Sequence, residues 1–127
     1  MDDTTEHTIA IDIATRYLDE QSKPDEQLYY FAYTIGIRNT GSVPAQLISR
    51  RWLIVDAIGF PREVIGDGVV GEQPRLRPGE RFEYTSSTFI KTPYATMEGA
   101  YVMRADDGAE FEAPIPQFVL CIPRMLH

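Results

Sequence analysis

The amino-acid sequence predicts an all-β protein, folded as one antiparallel β-sandwich of about seven to eight strands. Three observations lead to this fold class. Apolar residues recur at every second position in several segments, which is the period of a strand with one buried face. Clusters of turn-forming residues separate these segments, and no segment shows a convincing helical period. Two packed sheets are the arrangement in which such strands shield their apolar faces from water.

The N-terminal half contains three predicted strands. Apolar side chains alternate with polar or small ones in the first strand, residues 9–17, and in the second, residues 29–37. The polar segment between them, residues 18–27, contains a proline and is predicted to be a loop with room for a short helical turn. Turn formers at residues 39–42 end the second strand. The third strand, residues 45–55, carries apolar residues on both faces and is therefore expected in the centre of a sheet.

The middle of the chain combines turns with less regular strands. Residues 56–61 are predicted to turn the chain. Residues 62–70 indicate an irregular strand, because two glycines weaken it. A Pro-Gly-Glu turn lies within residues 76–80, and an alternating strand begins at residue 81. A turn of this kind before such alternation is typical of immunoglobulin-like and fibronectin type III-like sandwiches.

The C-terminal part is predicted to add two strands joined by a hairpin turn. Residues 86–96 contain a proline and are interpreted as a long connection. Alternating large side chains predict a strand over residues 97–103, and Asp106-Asp107-Gly108 is a hairpin signal. The last strand runs from residue 109 onward. It must bend or lie at a sheet edge, because Pro114 and Pro116 cannot donate ladder hydrogen bonds.

Length and composition indicate a single globular domain. The chain has 127 residues, of which 43% are hydrophobic and 24% charged, which is ordinary for a folded domain. We expect the domain to span residues 1–127, with a disordered N-terminal tail at 1–7 and a C-terminal tail at 124–127. The net charge is −7, but residues 1–26 hold eight acids and two bases, so the rest of the chain is nearly neutral. The segment 38–81 holds seven bases against five acids and offers a locally basic face.

The composition argues against several classes of function. An acidic chain repels phosphate backbones, which disfavours nucleic acid as a partner. The two histidines, His7 and His127, lie near the termini, and the single cysteine, Cys121, is expected to be buried. We therefore assign no catalytic residue, metal ligand or cofactor. The acidic N-terminus is not a secretory signal, no segment is long and apolar enough to span a membrane, and a lone cysteine fits a reducing compartment, so we expect a cytoplasmic protein.

A glycine-rich loop, residues 66–71, is the first candidate for a ligand site. Its glycines have the spacing of loops that hold a pyrophosphate, but Glu72-Gln73-Pro74 prevents the helix that a dinucleotide-binding fold requires. Backbone amides could still form an anion-binding nest with nearby arginines. The candidate groups are Gly66, Gly68, Gly71, Arg50, Arg75 and Arg77. We favour the alternative of a bulged strand whose glycines adopt positive φ, since Asp67 and Glu72 would repel phosphate.

Two further groups of side chains are weighed as sites. Arg50 and Trp52 share a strand face and could form a binding platform for a protein partner, but a buried core tryptophan capped by Arg50 is the favoured interpretation. The carboxylates of Glu98, Glu110 and Glu112 could hold a hard cation or transfer a proton. A solvated hairpin face explains these carboxylates better.

Several short motifs, in their order along the chain, resemble the bacterial ApaG family. The matching stretches are Tyr30-Phe31-Ala32-Tyr33-Thr34-Ile35, Asn39-Thr40-Gly41, Ser49-Arg50-x-Trp52, Gly66-x-Gly68-Val69-Val70-Gly71-Glu72-Gln73-Pro74, Pro78-Gly79-Glu80-x-Phe82-x-Tyr84-Thr85-Ser86, Met97-Glu98-Gly99-x-Tyr101 and Pro114-Ile115-Pro116-x-Phe118. The resemblance covers nearly all of the chain, from about Ile9 to Pro123. It implies an immunoglobulin-like or fibronectin type III-like sandwich, and it implies no catalytic activity.

For function, the resemblance implies an association with cobalt and magnesium tolerance in bacteria, and similar eukaryotic domains look like protein-binding modules. We therefore expect a non-enzymatic module that binds one or more protein partners, because sandwich edges and loops are natural docking surfaces. Nucleotide or pyrophosphate binding at Gly66–Gly71 is the alternative, and nucleotide hydrolysis is a weaker third hypothesis. Exposed sheet edges also permit a homodimer, although no pattern in the sequence specifies one.

Overall fold

The computed structural model describes residues 6–123, and most of this part folds into β-strands. Eight strands follow one another along it, with a short 3₁₀ turn at Pro24–Glu26. Their bounds are β1 (Ile9–Tyr17), β2 (Tyr29–Asn39), β3 (Ala45–Asp56), β4 (Pro61–Asp67), β5 (Arg75–Leu76), β6 (Arg81–Ile90), β7 (Tyr94–Ala105) and β8 (Glu110–Cys121). The predicted fold class, an all-β antiparallel sandwich, is confirmed.

The strands form two antiparallel sheets of unequal width. The narrower sheet has the order β1-β2-β6, and the wider one has the order β4-β3-β7-β8 with β5 beside β3. Strand β1 packs against β8, so β6 and β4 lie together on the opposite side of the sandwich. The narrower sheet is therefore three strands wide and the wider sheet four, since β4 and β5 pair with different parts of β3, so the inner face of the wider sheet is not fully covered.

The core lies between the sheets and uses the alternating positions that the sequence predicts. In β2, Phe31, Ile35 and Ile37 are almost fully buried, whereas intervening residues such as Thr34 are less buried. Burying an apolar side chain of this size stabilises a fold by about 1.5–3 kcal/mol. Strand β3 pairs with β4 on one side and with β7 on the other, which confirms its predicted place in the centre of a sheet.

The predicted long connection over residues 86–96 is wrong, because β6 continues to Ile90 and β7 already begins at Tyr94. Residues 86–90 are small, β-branched or aromatic, and they pair along β2 as far as Tyr29. Pro93 lies in the short turn between the two strands, where no ladder donor is needed. Strand β6 is therefore considerably longer than its sequence pattern indicates, and it reaches the end of the sandwich.

Because of its prolines, the last strand was predicted to bend or to lie at a sheet edge, and it lies at an edge. Pro114 and Pro116 lie in β8, which pairs only with β7 and forms an edge of the wider sheet. A proline is tolerated at such an edge because its missing N–H need not face a neighbouring strand. The register between β7 and β8 also shifts between Met97 and Gly99, opposite this part of β8.

The two ends of the described part were both predicted to be tails. Within the expected N-terminal tail, residues 1–5 lie outside the described residues, and the carbonyl oxygen of Glu6 accepts a hydrogen bond from Ser42 N at 3.3 Å. The expected C-terminal tail, residues 124–127, lies outside the described residues together with His127. Within residues 6–123, no helix has the length and apolar character that a membrane span requires.

Candidate functional site

An open apolar groove lies at one end of the sandwich, between the turn that joins β3 to β4 and the end of β6. Its volume is about 610 Å³. The lining residues are Gln27, Ile54, Asp56, Ile58, Phe60, Pro61, Arg62, Phe89, Ile90, Lys91 and Thr92. The side chains of Ile58 and Phe60 are 72% and 71% exposed, which is unusual for two large apolar residues so close together.

The turn that carries these two side chains is held by its own hydrogen bonds. Oδ1 of Asp56 accepts hydrogen bonds from the backbone N–H groups of Ile58 and Phe60, both at 3.1 Å. Gly59 adopts a φ of 87°, which the turn requires, and its N–H donates to the carbonyl oxygen of Asp56. The hydroxyl of Thr92 accepts a bond from Ala57 N at 3.0 Å and ties this turn to the next one. The exposed side chains therefore project from a turn whose backbone N–H groups all bond within the protein.

Arg62 connects the two sheets at the wall of the groove. It belongs to β4, but its guanidinium lies 4.9 Å from the ring centre of Phe89 in β6. Nη2 donates to the carbonyl oxygen of Phe89 at 2.8 Å and to Oγ1 of Thr88 at 3.0 Å. Its Nε is buried and has no hydrogen-bond partner within the described part of the chain. No carboxylate of residues 6–123 lies within ion-pair distance of Arg62 or Lys91, so the groove presents positive charge beside apolar surface.

The glycine-rich loop is a tight turn in which the amides of Gly68, Val69 and Glu72 bond within the protein. Val70 and Gly71 have φ values of 44° and 82°, as the centre of a two-residue hairpin turn requires. The flanking residues, Val69 and Glu72, exchange hydrogen bonds at 2.8 and 2.9 Å. The N–H of Gly68 donates to the carbonyl oxygen of Ile48 at 2.9 Å. These contacts support the interpretation that the glycines serve the backbone.

The arginines proposed for phosphate binding already have partners. Nη1 of Arg50 donates to the carbonyl oxygens of Asp67 and Gly68, at 3.1 and 2.8 Å. Gly66 leaves the space that this guanidinium fills, since a Cβ there would lie 2.8 Å from it. Arg75 and Arg77 are bonded to carboxylates instead, so the structure brings only Arg50 directly against the loop.

Two ion pairs hold the other arginines. A hydrogen bond from the Arg75 guanidinium lowers the pKa of the Asp106 carboxyl. A hydrogen bond from the backbone N–H of Arg77, at 2.7 Å, lowers the pKa of the Glu80 carboxyl. A neighbouring carboxylate therefore balances the positive charge of each arginine. This weakens the attraction of either arginine for a phosphate.

Trp52 lies in the core, as the favoured interpretation expects. It is 2% exposed, and its ring makes edge contacts with Tyr33 and Phe118 at centroid distances of 5.5 and 5.9 Å. Its Nε1 is buried without a hydrogen-bond partner in the described residues. An indole in this position offers no surface to a partner, so the platform of Arg50 and Trp52 is not formed.

The candidate carboxylates on the hairpin face belong to surface contacts. Glu110 pairs with Arg104 at 3.3 Å, and Glu112 lies 3.8 Å from Arg51. Glu98 accepts a hydrogen bond from the side chain of Gln117 at 3.4 Å. These contacts separate the three acids, which fits the solvated face that explains them best.

Cys121 was expected to be buried, and this prediction is wrong. The thiol is exposed at the end of β8, because the neighbouring Leu120 takes the position that points into the core. Since successive residues of a strand point to opposite faces, only one of the two can be buried.

A small polar cluster joins the N-terminus to the hairpin turn between β7 and β8. Nε2 of His7 lies 2.8 Å from Oδ2 of Asp107, and Glu6 is close enough that the three groups lie within 4.8 Å of one another. Hydrogen bonds from the Ala109 backbone N–H and from His7 lower the pKa of Asp107. This contact spans a hundred positions of sequence and could not be seen in the spacing of residues.

The sequence did hold one signal for the groove. Turns are normally polar, yet Ile58 and Phe60 flank a glycine in the turn predicted at residues 56–61. Large apolar residues that a turn does not need are a reason to suspect a binding surface. The charge of Arg62 beside Phe89 could not be anticipated, because it depends on the unpredicted second half of β6.

The chain is similar to known proteins in both sequence and fold. A family profile described as ApaG domain matches residues 19–105. Protein ApaG of Ralstonia nicotianae is 59% identical over 121 residues, which is 95% of this chain and 98% of the relative. Protein ApaG of Stenotrophomonas maltophilia is 54% identical over 127 residues, which is 100% of both chains. A crystal structure of an ApaA protein from Bordetella pertussis superposes with a TM-score of 0.92 at 49% identity, covering 95% of this chain and 98% of that one.

Proposed function

The chain belongs to the ApaG family, and from that premise we propose that it is a non-enzymatic protein-interaction module. Its partner docks in the groove between the turn at residues 57–60 and the end of β6. The observation that carries this proposal is the exposure of Ile58 and Phe60 on a turn whose backbone N–H groups bond within the protein. A turn that its own hydrogen bonds already hold in one conformation loses less backbone entropy when a partner covers its side chains.

The charge of the groove indicates what kind of partner it fits. Arg62 and Lys91 contribute two positive charges and Asp56 contributes one negative charge, so the lining of the groove is positive on balance, and Oδ1 of Asp56 is occupied by backbone donors. Apolar anchors surrounded by a polar, charged rim are the usual composition of a protein–protein interface. The occupant is therefore a protein segment that combines apolar side chains with at least one carboxylate.

Replacing the two exposed apolar side chains tests this function. The double variant Ile58→Ser with Phe60→Ser should lose the partner, because covering one such side chain contributes about 1.5–3 kcal/mol. Tagged wild-type and variant proteins are used to capture proteins from the native lysate, and captured proteins are quantified by mass spectrometry. Loss of both anchors should reduce the specific partner by about tenfold or more.

Val119→Ser is the matched control. Val119 is an exposed apolar residue of β8, on the side of the sandwich opposite β4 and β6. The control should capture the partner as well as the wild type does. If the double variant and the control retain the same proteins, or if no protein is enriched reproducibly, the proposed function is wrong.

Nucleotide or pyrophosphate binding at Gly66–Gly71 stays an alternative with weaker support. The amides of Gly68, Val69 and Glu72 and the guanidinium of Arg50 all bond within the protein. Titration with diphosphate, monitored through the amide NMR signals of residues 66–77, tests this alternative. Localised shifts of these signals would support it. For cobalt and magnesium tolerance, an interaction module would act through its partner and would not need to bind the ion.

A further inference from the structure

We propose that the partner adds an extended strand to the free edge of β6, with an acid, an apolar residue and a second acid at alternate positions. This inference rests on the proposed function and adds the partner's chemistry and its mode of binding. The added strand becomes the fourth strand of the narrower sheet. It lies over β4 and ends at the groove beside Phe89.

Within residues 6–123, the outer edge of β6 pairs with no other strand, and of its outward groups the carbonyl oxygen of Phe89 is bonded to the Arg62 side chain. Asn39 N donates to the carbonyl oxygen of Glu80 at 3.0 Å, which sets the alternation between β2 and β6. Even-numbered residues from Phe82 to Ile90 therefore bond to β2. The odd-numbered residues, Glu83, Thr85, Ser87 and Phe89, direct their N–H and C=O groups away from it. The bond from Arg62 to the carbonyl oxygen of Phe89 agrees with this direction.

The inner face of β4 lacks a covering strand. Val64 lies directly opposite Trp52 in the ladder, so both side chains face the narrower sheet. Trp52 is 2% exposed, whereas Val64 is 37% exposed. The difference arises because the narrower sheet ends at β6 and does not extend over β4. One further strand on β6 would cover this surface and complete the sandwich.

The uncovered face carries an alternating pattern of charge. Arg62 and Val64 lie two residues apart in β4, and the next inward position, Gly66, is filled by the guanidinium of Arg50 from β3. Nη1 of Arg50 and Nη2 of Arg62 already donate to backbone carbonyl oxygens, but no carboxylate of residues 6–123 pairs with either arginine, so both keep a positive charge that an acid can balance. A strand above this row meets positive, apolar and positive surface at the two-residue period of its own side chains. Charge complementarity therefore selects acid, apolar and acid at those positions.

Three other sheet edges exist in the described part, and of these β1 has no proline but lies beside β8, away from the row formed by Arg62, Val64 and Arg50. The remaining two edges carry prolines. The edge strand β8 contains Pro114 and Pro116, and the short edge strand β4 begins with Pro61. Prolines and short length are devices that protect an edge from pairing. Strand β6 has ten residues and no proline, so its edge is long and regular.

The test selects peptides from a random twelve-residue display library on the immobilised wild-type protein. A peptide with the selected consensus is then titrated against variants.

Ser87→Pro removes an outward N–H and places a ring on the edge, while the bonds of β6 to β2 are kept. Ser87→Ala keeps the N–H and is its matched control. The double variant Arg50→Gln with Arg62→Gln removes both positive charges of the row. Thermal unfolding of each variant confirms that it folds.

The expected result is a consensus with acids on both sides of an apolar residue at alternate positions. The dissociation constant should rise by about tenfold or more in Ser87→Pro and in the double arginine variant, but not in Ser87→Ala. Hydrogen exchange adds an independent readout. The N–H groups of Glu83, Thr85, Ser87 and Phe89 exchange fast in the free protein and become protected by the peptide, whereas those of the even positions are protected throughout.

Three results would overturn this inference, and they separate it from the proposed function. If the peptide binds Ser87→Pro as tightly as the wild type but fails to bind the variant with serine at positions 58 and 60, the groove docks a partner without strand addition. If the wild type forms a dimer that Ser87→Pro abolishes, the occupant is a second copy of this chain. If no consensus with alternating acids emerges, the stated partner chemistry is wrong, and the lysate experiment alone decides the proposed function.

Discussion

Val70 is the residue whose backbone conformation fits its side chain least well. Its φ of 44° lies in the left-handed region, where a β-branched residue is rare, and its side chain is largely exposed. The two-residue turn that it shares with Gly71 favours asparagine followed by glycine. Burial of the side chain therefore does not offset the cost of this backbone strain.

We expect Val70→Asn to raise the free energy of unfolding by about 1 kcal/mol, because asparagine adopts this conformation at lower cost. Urea unfolding followed by tryptophan fluorescence measures the change. Val119→Asn replaces a similarly exposed valine in a regular strand and should bring no gain. A Val70→Asn protein that is no more stable than the wild type would show that the turn stores no such strain.

For Asn39, the sequence predicts the turn but not the buried hydrogen bonds of its side chain. From the sequence it is a turn former, and the structure does place it at the end of β2. It is also buried, with Nδ2 donating to the carbonyl oxygens of Val43 and Leu76 and Oδ1 accepting from Gly41 N. The local pattern revealed the turn, but the partner at Leu76 is 37 residues away and depends on the tertiary fold.

At the scale of the strands, a pair of tyrosines joins the two sheets. The hydroxyl oxygens of Tyr84 in β6 and Tyr101 in β7 lie 2.5 Å apart in the core. Burial raises the pKa of Tyr84 to about 12 and raises the pKa of Tyr101 as well. Because these folded-state pKa values exceed the value of about 10 in an unfolded chain, the unfolded state releases protons first as pH rises.

This linkage predicts that stability is insensitive to these two groups below about pH 10 and falls above it. Between pH 10 and 12, Tyr84 alone should cost up to about 2–3 kcal/mol of unfolding free energy. Urea midpoints at several pH values measure the slope. Replacing both tyrosines by phenylalanine should flatten it, and Tyr94→Phe, at an exposed position, should not. An unchanged slope in the double variant would refute the assignment.

The elements themselves are where sequence prediction succeeds best. The two-residue period of apolar side chains placed β1 at residues 9–17 and identified β3 as a central strand. The same period did not predict the second half of β6. Pro93 was interpreted as part of a long connection, although it lies in the turn after the strand. The two-residue strand β5 is too short for any period to reveal.

At the scale of the whole molecule, the proposed function depends on the unequal width of the two sheets. A three-stranded sheet over a wider one leaves β4 uncovered, and it leaves the edge of β6 beside a positive and apolar surface. The net charge of −7 conceals this surface, since it averages over the acidic first 26 residues. The candidate site was therefore not predictable from composition, because it consists of residues from three strands and from the turns beside them, which only the fold brings together.

The most direct test of the central claim, that partners dock on the β4–β6 side, is site-specific photo-crosslinking in the cells that make this protein. A photoreactive amino acid replaces Phe60 in one variant and Val119 in the other, so that the two opposite sides of the sandwich are compared at exposed positions. We expect a discrete protein adduct from position 60 and none from position 119. Adducts of equal yield from both positions, or an adduct from position 119 alone, would contradict the claim.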